Sequence, residues 1–383
     1  MMMKRLVKAL ISVSVILTVF MLSVFPAFAS VSTANCDMSS NGAKGANATS
    51  AVTGVKKTIE DAYSTRSGLI TDYRNNANDL SRYYVPNSKI LKFERTRPEY
   101  YRKMEANEGI RITRVQSDVI FVKVDFRGKK AEAYLYEKVS YAWLDQTGGK
   151  NVTGLGVYHK VTLQQTGHGW LISSDEYSEG RPTNVVSPNF TTDGFEKVIS
   201  DALARQFMTQ SSLTPTVVPG STPYNRAAAT NYADNYVFNY NPNYYNYNSS
   251  GGDCANFVSQ SMYAGNAYYI DPYQELGSQS WWYNGGAGSA TSKSSESWRY
   301  CPTQRAFILG LRGTETSLSG LGLGDLIYYD WNGDGIWDHV AIVVGFDSSN
   351  NPLVDAHNTD LKHAYWTLGG AAKYSFVHLN SYF

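Results

Sequence analysis

The 383-residue chain has only three cysteines, too few for the disulfide framework that staples small secreted domains, and they make no zinc-type spacing with its six histidines. Charged residues make up only 17%, against the ~25% of an average globular protein. No block rich in Lys and Arg occurs, which removes the usual electrostatic footprint of a nucleic-acid partner. No internal repeat is present, which excludes solenoids and propellers. One apolar run is nearly long enough to span a bilayer, and it stands at the N-terminus. What remains is a core-forming composition. Hydrophobic residues reach 43% and aromatics 14%, with 29 Tyr, enough for two packed domains at this length. The formal charge of +1 conceals an asymmetry: from Thr216 onward there are 7 Lys and Arg against 13 Asp and Glu.

The first residues read as an address. Lys4, Arg5 and Lys8 precede the apolar run Ala9 to Phe25, and Ala27-Phe28-Ala29 forms a cleavage site before Ser30. A cleaved export leader over residues 1–29 is expected rather than the alternative, a retained transmembrane anchor. Cys36 follows Thr33-Ala34-Asn35, which lacks the small-residue context of a lipid-modified cysteine. The expectation is a secreted protein, extracellular or cell-wall associated, with no stable membrane insertion after cleavage.

Residues 30–53, rich in Ser, Asn, Gly and Ala, read as a flexible linker. Residues 54–180 read as an α+β domain. Val55, Ile59 and Ala62 have helical spacing. Strands are expected around Val115 to Val124, Ala131 to Val139, Tyr158 to Leu163 and Trp170 to Ile172, with turns at Gly128-Lys129 and Gly167-His168-Gly169. That topology resembles the cystatin-like or NTF2-like class, a likeness of fold that implies no function. Residues 181–222 carry four prolines, Pro182, Pro188, Pro215 and Pro219, with Pro223 just beyond, and read as a Pro/Ser/Thr-rich linker holding a short helix near Phe195 to Leu203.

Residues 223–383 carry the chemistry. A helix is expected from Pro223, with Tyr224, Ala228, Tyr232 and Tyr236 on one stripe. After a Tyr/Asn-rich loop comes Gly251-Gly252-Asp253-Cys254-Ala255-Asn256-Phe257-Val258-Ser259-Gln260. With Asp253 as N-cap, Cys254 falls in the first turn of a helix, where the partial positive charge of the helix end stabilises a thiolate. Without that setting, a buried structural cysteine would be the default. Strands are expected at Gly324 to Tyr329, His339 to Gly345 and Pro352 to His357. In such a meander the start of the second and the end of the third lie side by side. His339 is then the base for Cys254, and His357 the residue that orients His339. His159, His168, His363 and His378 are read as structural.

These stretches, with Tyr224-Asn225-Arg226-Ala227-Ala228, Trp281-Trp282-Tyr283, Asp338-His339-Val340-Ala341-Ile342-Val343 and His357-Asn358, resemble the putative amidase domain family. That family is a branch of the papain-like NlpC/P60 cysteine-hydrolase superfamily. The resemblance implies a helix bearing the cysteine packed on an antiparallel sheet. It implies Cys254 as nucleophile, His339 as general base and acid, and His357 as the orienting residue, with Asn358 as the alternative. Peptidoglycan is the implied substrate. The competing reading is a non-catalytic wall-binding or adhesive protein with an inactive papain-like domain.

Three further features stay open. Asp330, Asn332, Asp334 and Asp338 fit EF-hand loop positions 1, 3, 5 and 9, which suggests Ca²⁺; the position-12 Glu is replaced by Ala341, and a strand connection with self-satisfied Asx turns is the alternative. No cofactor is required by the proposed chemistry. Cys301, before Pro302, reads as a small buried residue, with a disulfide to Cys254 left open. Trp281, Trp282, Tyr283, Tyr244, Tyr245 and Tyr247 line either a substrate groove or the core.

Overall fold

The computed structural model describes residues 46–72, 77–191, 194–196, 198–199, 222–270, 276–284 and 294–383. The expected leader at 1–29, Cys36 and residues 30–45 of the expected linker lie outside them. Residues 46–53, expected as linker, are instead the start of a helix, α1 (Ala46–Thr71). Val55, Ile59, Ala62 and Tyr63 are fully buried and anchor it. Once that turn is fixed, adding residues on its N-terminal side costs little.

A second helix, α2 (Lys89–Glu108), was not legible in the sequence. Its buried face includes Glu94, Arg97 and Glu108 beside Ile90, Leu91, Tyr101 and Met104, so charge interrupts the apolar stripe. These charges are paired. Arg66 of α1 bridges Glu94 at 3.1 Å and Glu137 at 2.5 Å, and Tyr101 donates to Glu179 at 3.0 Å. Burial of such groups is tolerated only when they find partners of this kind.

The strands of the first block run longer than their apolar cores: β1 (Arg111–Arg127), β2 (Lys130–Leu144), β3 (Lys150–Thr166) and β4 (Gly169–Glu176). A short pair follows, β5 (Ser178–Gly180) with β6 (Val185–Val186). The second block supplies α3 (Arg226–Tyr236), α4 (Cys254–Ala264), α5 (Glu296–Arg299) and α6 (Cys301–Leu311). Its strands are β7 (Gly313–Thr316), β8 (Leu326–Asp330), β9 (His339–Phe346), β10 (Pro352–Ala356), β11 (Asp360–Tyr365) and β12 (Lys373–Leu379). The molecule is α+β, a mixture of helices and antiparallel sheet.

The two blocks share one sheet. Its order is β1-β2-β3-β11-β10-β9-β8-β12-β7, with β4 on the other stretch of the β3 edge. β4 takes residues 160–166 of that edge and β11 takes 154–156. Gly154 and Gly156 leave the room: a Cβ on Gly156 would lie 1.9 Å from the Tyr136 hydroxyl. That hydroxyl donates to Asp360 of β11 at 2.6 Å. One hydrophobic cluster combines Val55, Tyr101 and Leu155 with Tyr329, Val343 and Leu361. The boundary expected at 181–222 therefore divides a continuous sheet. That segment is also partly pinned, because Val185, Phe195 and Ile199 are buried.

Alternate residues of β8 and β9 enter different clusters. Tyr329, Ala341 and Val343 join the cluster of α1 and α2, whereas Tyr328, Val340 and Ile342 join that of α3, α4 and α6. With both faces covered, these strands read as unbroken apolar runs.

Candidate active site

Helix α4 starts at Cys254 and is buried on every side from Cys254 to Met262. A helix apolar all round belongs in a core, yet this one carries polar side chains, each with a partner. Asn256 donates to the Tyr245 carbonyl at 2.9 Å and accepts from the Trp298 indole at 2.7 Å. Ser259 donates to the Trp298 carbonyl at 2.9 Å, and Gln260 accepts from the Tyr232 hydroxyl at 2.6 Å. The chain enters through Gly251 (φ 105°) and Gly252 (φ 112°), a conformation that L side chains resist. A Cβ on Gly252 would also lie 2.5 Å from Asn358 Nδ2.

Asp253 does not cap the helix as expected, for its side chain makes no capping hydrogen bond. Its Oδ1 accepts from the Tyr247 N–H at 2.7 Å and from Asn256 Nδ2 at 2.8 Å. Its Oδ2 meets His357 Nδ1 at 2.7 Å, and its own N–H donates to Asn358 Oδ1. The carboxylate thus ties the glycine loop, the helix start and the end of β10 together.

Cys254 and His339 are brought together. The Cys254 thiol feels both the charge of His339, the first residue of β9, and the neighbouring Val340 N–H. The His339 ring lies beside Trp331, nearly parallel at 5.7 Å, and Tyr329 at 5.5 Å. A third group joins Cys254 and His339. Cys301 is the first residue of α6, and its Sγ stands 3.3 Å from Cys254 Sγ, both thiols free. The Cys254 thiol is held well below the ordinary range by the hydrogen bond from Cys301, and further by the charge and hydrogen bond of His339 and the Val340 N–H, which together outweigh burial. Cys301 is pushed well above its ordinary value, since it keeps the shared proton and is buried.

His357 stands at the same sheet edge as His339 but does not face it. Asp355 pairs with Ile342, so two residues further His357 comes opposite Val340, and His339 is one residue out of phase. One residue in a strand reverses the face. The ring of His357 is stacked between Tyr240 (4.0 Å) and Phe257 (3.9 Å), and its nitrogens meet Asp253 and the Tyr236 carbonyl (3.1 Å). It supports Cys254 through Asp253, not through His339. Burial alone would lower its pKa, but Asp253, Asp360 and the Tyr236 carbonyl raise it. Asn358 likewise serves the Asp253 N–H.

In the expected Ca²⁺ loop the side chains of Asp330, Asn332, Asp334 and Asp338 accept from the loop's own backbone. Asp330 accepts from Gly333 and Gly335 N–H groups, Asp334 from Ile336, and Asp338 from Trp331; Asn332 accepts from the Asp334 N–H. These are self-satisfied turns. Among the described residues, carboxylate and imidazole donors converge instead at Asp234, Asp355 and His363. That cluster already holds a cation, Lys362 at 3.0 Å from Asp234, and His363 hydrogen-bonds the same carboxylate at 2.7 Å. Trp281, Trp282, Tyr283 and Tyr247 are buried, and the rings of Tyr244, Trp281 and Tyr283 pack around Trp298, so they build core rather than an open groove.

Two curated proteins of Bacillus subtilis (strain 168) are similar to this chain. Uncharacterized protein YhbB is 32% identical over 167 residues, 41% of this chain and 50% of that protein. Uncharacterized protein YjcM is 32% identical over 149 residues, 35% of this chain and 30% of that protein. The chain thus spans half the length of the first and less of the second. Among solved structures, the intermembrane space region of chloroplast protein ARC6 matches 33% of this chain and 95% of its own at 13% identity and a TM-score of 0.25. A periplasmic fragment of TraM matches 34% of this chain and 98% of its own at 13% identity and 0.26. Similarity that low fixes no fold. The segment that carries Cys254, His339, Cys301 and His357, residues 223–380, matches the family described as putative amidase domain.

Proposed function

We propose that this protein is a secreted cysteine-dependent hydrolase that cleaves an amide bond of cell-wall peptidoglycan, with a papain-like arrangement of its catalytic groups. The observation that carries the reading is the buried Cys254 at a helix start, served by His339 and held toward the thiolate. A thiolate at that position is what nucleophilic attack on an amide carbonyl requires. The family match supports amide hydrolysis. The leader-like N-terminus and the superfamily resemblance support an envelope substrate.

In this reading the Cys254 thiolate attacks the carbonyl carbon. The oxyanion is held by the Cys254 N–H, one of the first helical donors without an intrahelical partner. His339 gives its proton to the leaving amine and then takes one from the water that hydrolyses the thioester. His357 is a positioning residue, fixing Asp253 and hence the turn that presents Cys254.

The test is incubation of the purified protein with peptidoglycan and with small amides, reading new amino groups and the masses of released fragments. Release by the wild type and none by Cys254→Ala is the expected result. Cleavage of small amides alone would sink the substrate. No cleavage, with Cys254 inert to iodoacetamide at neutral pH, would return the domain to the wall-binding alternative.

A further inference from the structure

Cys254 and Cys301 are each the first residue of an 11-residue helix, so two helix N-termini converge on one pair of sulfurs. The sulfurs stand 3.3 Å apart, and a disulfide needs them at about 2.05 Å, a closure of roughly 1.3 Å. Beside its hydrogen bond to Cys254, Cys301 brings a second thiol to the site. It is 5% exposed and sits against Cys254, where a small apolar residue would fill the space without a second thiol. The Cys301 proton is shared with its neighbour, which leaves Cys254 the more nucleophilic partner.

We propose that Cys254 and Cys301 form a reversible disulfide that switches the site off under oxidising conditions and releases it on reduction. The switching role rests on the reading of Cys254 as the nucleophile; the formation of the bond does not. The oxidant is a small-molecule disulfide. The Cys254 thiolate attacks one of its sulfurs, forming a mixed disulfide and expelling one thiolate. Cys301 then loses its proton to water or His339 and attacks the Cys254 sulfur, expelling the second thiolate. Two protein thiols are oxidised and one external disulfide is reduced to two thiols. The same features make the bond easy to reopen, because whatever stabilises a thiolate stabilises the reduced form. While the bond stands, Cys254 has no thiolate to attack a carbonyl and His339 has none to pair with.

The experiment uses the full chain carrying Cys36→Ser, equilibrated in mixtures of reduced and oxidised glutathione, quenched in acid and alkylated in denaturant. Peptide masses should show Cys254 and Cys301 disappearing together as one intramolecular disulfide, with dithiothreitol restoring both. Amide hydrolysis should fall in proportion to the oxidised fraction. In Cys301→Ser, checked for folding by thermal unfolding, oxidised glutathione should leave Cys254 as a stable mixed disulfide. The idea is overturned if the parent protein accumulates that mixed disulfide, or keeps both thiols alkylatable, at every ratio tested. Closure of the bond in a protein that hydrolyses no amide when reduced would uphold the pair and sink only the reading of its function.

Discussion

The Asp253 carboxylate, one residue before Cys254, holds the His357 imidazole at 2.7 Å, with both side chains buried. This contact makes His357 a brace for the nucleophile's turn. Removing one partner of a buried hydrogen bond leaves the other unsatisfied, which typically costs about 1–3 kcal/mol. Asp253→Asn and His357→Gln should each destabilise the protein by that order in urea unfolding. The double variant should lose much less than the sum of the two. Additive losses would show that the pair is not coupled.

Cys254→Ala should abolish hydrolysis and leave the fold intact, since Ala keeps the helix start and loses only a sulfur. His339→Ala should lower kcat by roughly 10²–10⁴-fold, the usual contribution of a positioned acid–base group. His357→Gln should cost less, and its loss should follow the fraction folded. Circular dichroism beside steady-state kinetics separates the two. Full activity in Cys254→Ala would remove the assignment.

The rate of Cys254 alkylation against pH reads the thiol directly. Its midpoint should fall well below the ~8.5 of a free thiol. Cys301→Ala should raise the midpoint, because the Cys301 hydrogen bond is the largest influence on it. His339→Gln should raise it too. A native midpoint near that of free cysteine, unmoved in both variants, would show that neither group acts on Cys254.

Asp355 gives a pH dependence of stability with a definite sign. Burial pushes its carboxyl up to about 7, against opposing pulls from His363 and Lys362, and Asp234 adds to the rise. Its buried Oδ2 has no hydrogen-bond donor to stabilise the charged form. The folded state then holds a proton that the unfolded chain releases near pH 4, so stability declines as pH rises from about 4 to about 7. Asp355→Asn, which still can accept the His363 N–H, should flatten that decline in urea titrations. An unchanged slope would place the proton elsewhere.

Cleavage between Thr214 and Ser221 should leave the two pieces together on size exclusion until denaturant is added. The β3–β11 ladder, the Tyr136–Asp360 hydrogen bond and the shared apolar cluster span the cut. Separation of the pieces in native buffer would show that the C-terminal region, 223–383, stands alone.

The sequence by itself settled the elements whose signals are local. Period-two alternation gave the strand cores of the first block. The Gly-Gly-Asp-Cys turn placed Cys254 at a helix start, and the apolar run after His339 gave β9. It could not give α2, because charges buried by partners distant in the chain interrupt its apolar stripe. Nor could it show one sheet across both blocks, which depends on Gly154 and Gly156 leaving space beside Asp360. The site divides the same way. The meeting of Cys254 and His339 was legible from a helix start and a strand start. The partner of His357 was not, because a register of one residue decides which face a side chain takes, and only the folded sheet fixes it. Pro302 marks a helix start beside Cys301, but nothing local ties Cys301 to Cys254. Its approach to Cys254 comes from packing α6 beside α4, through contacts 47 residues apart.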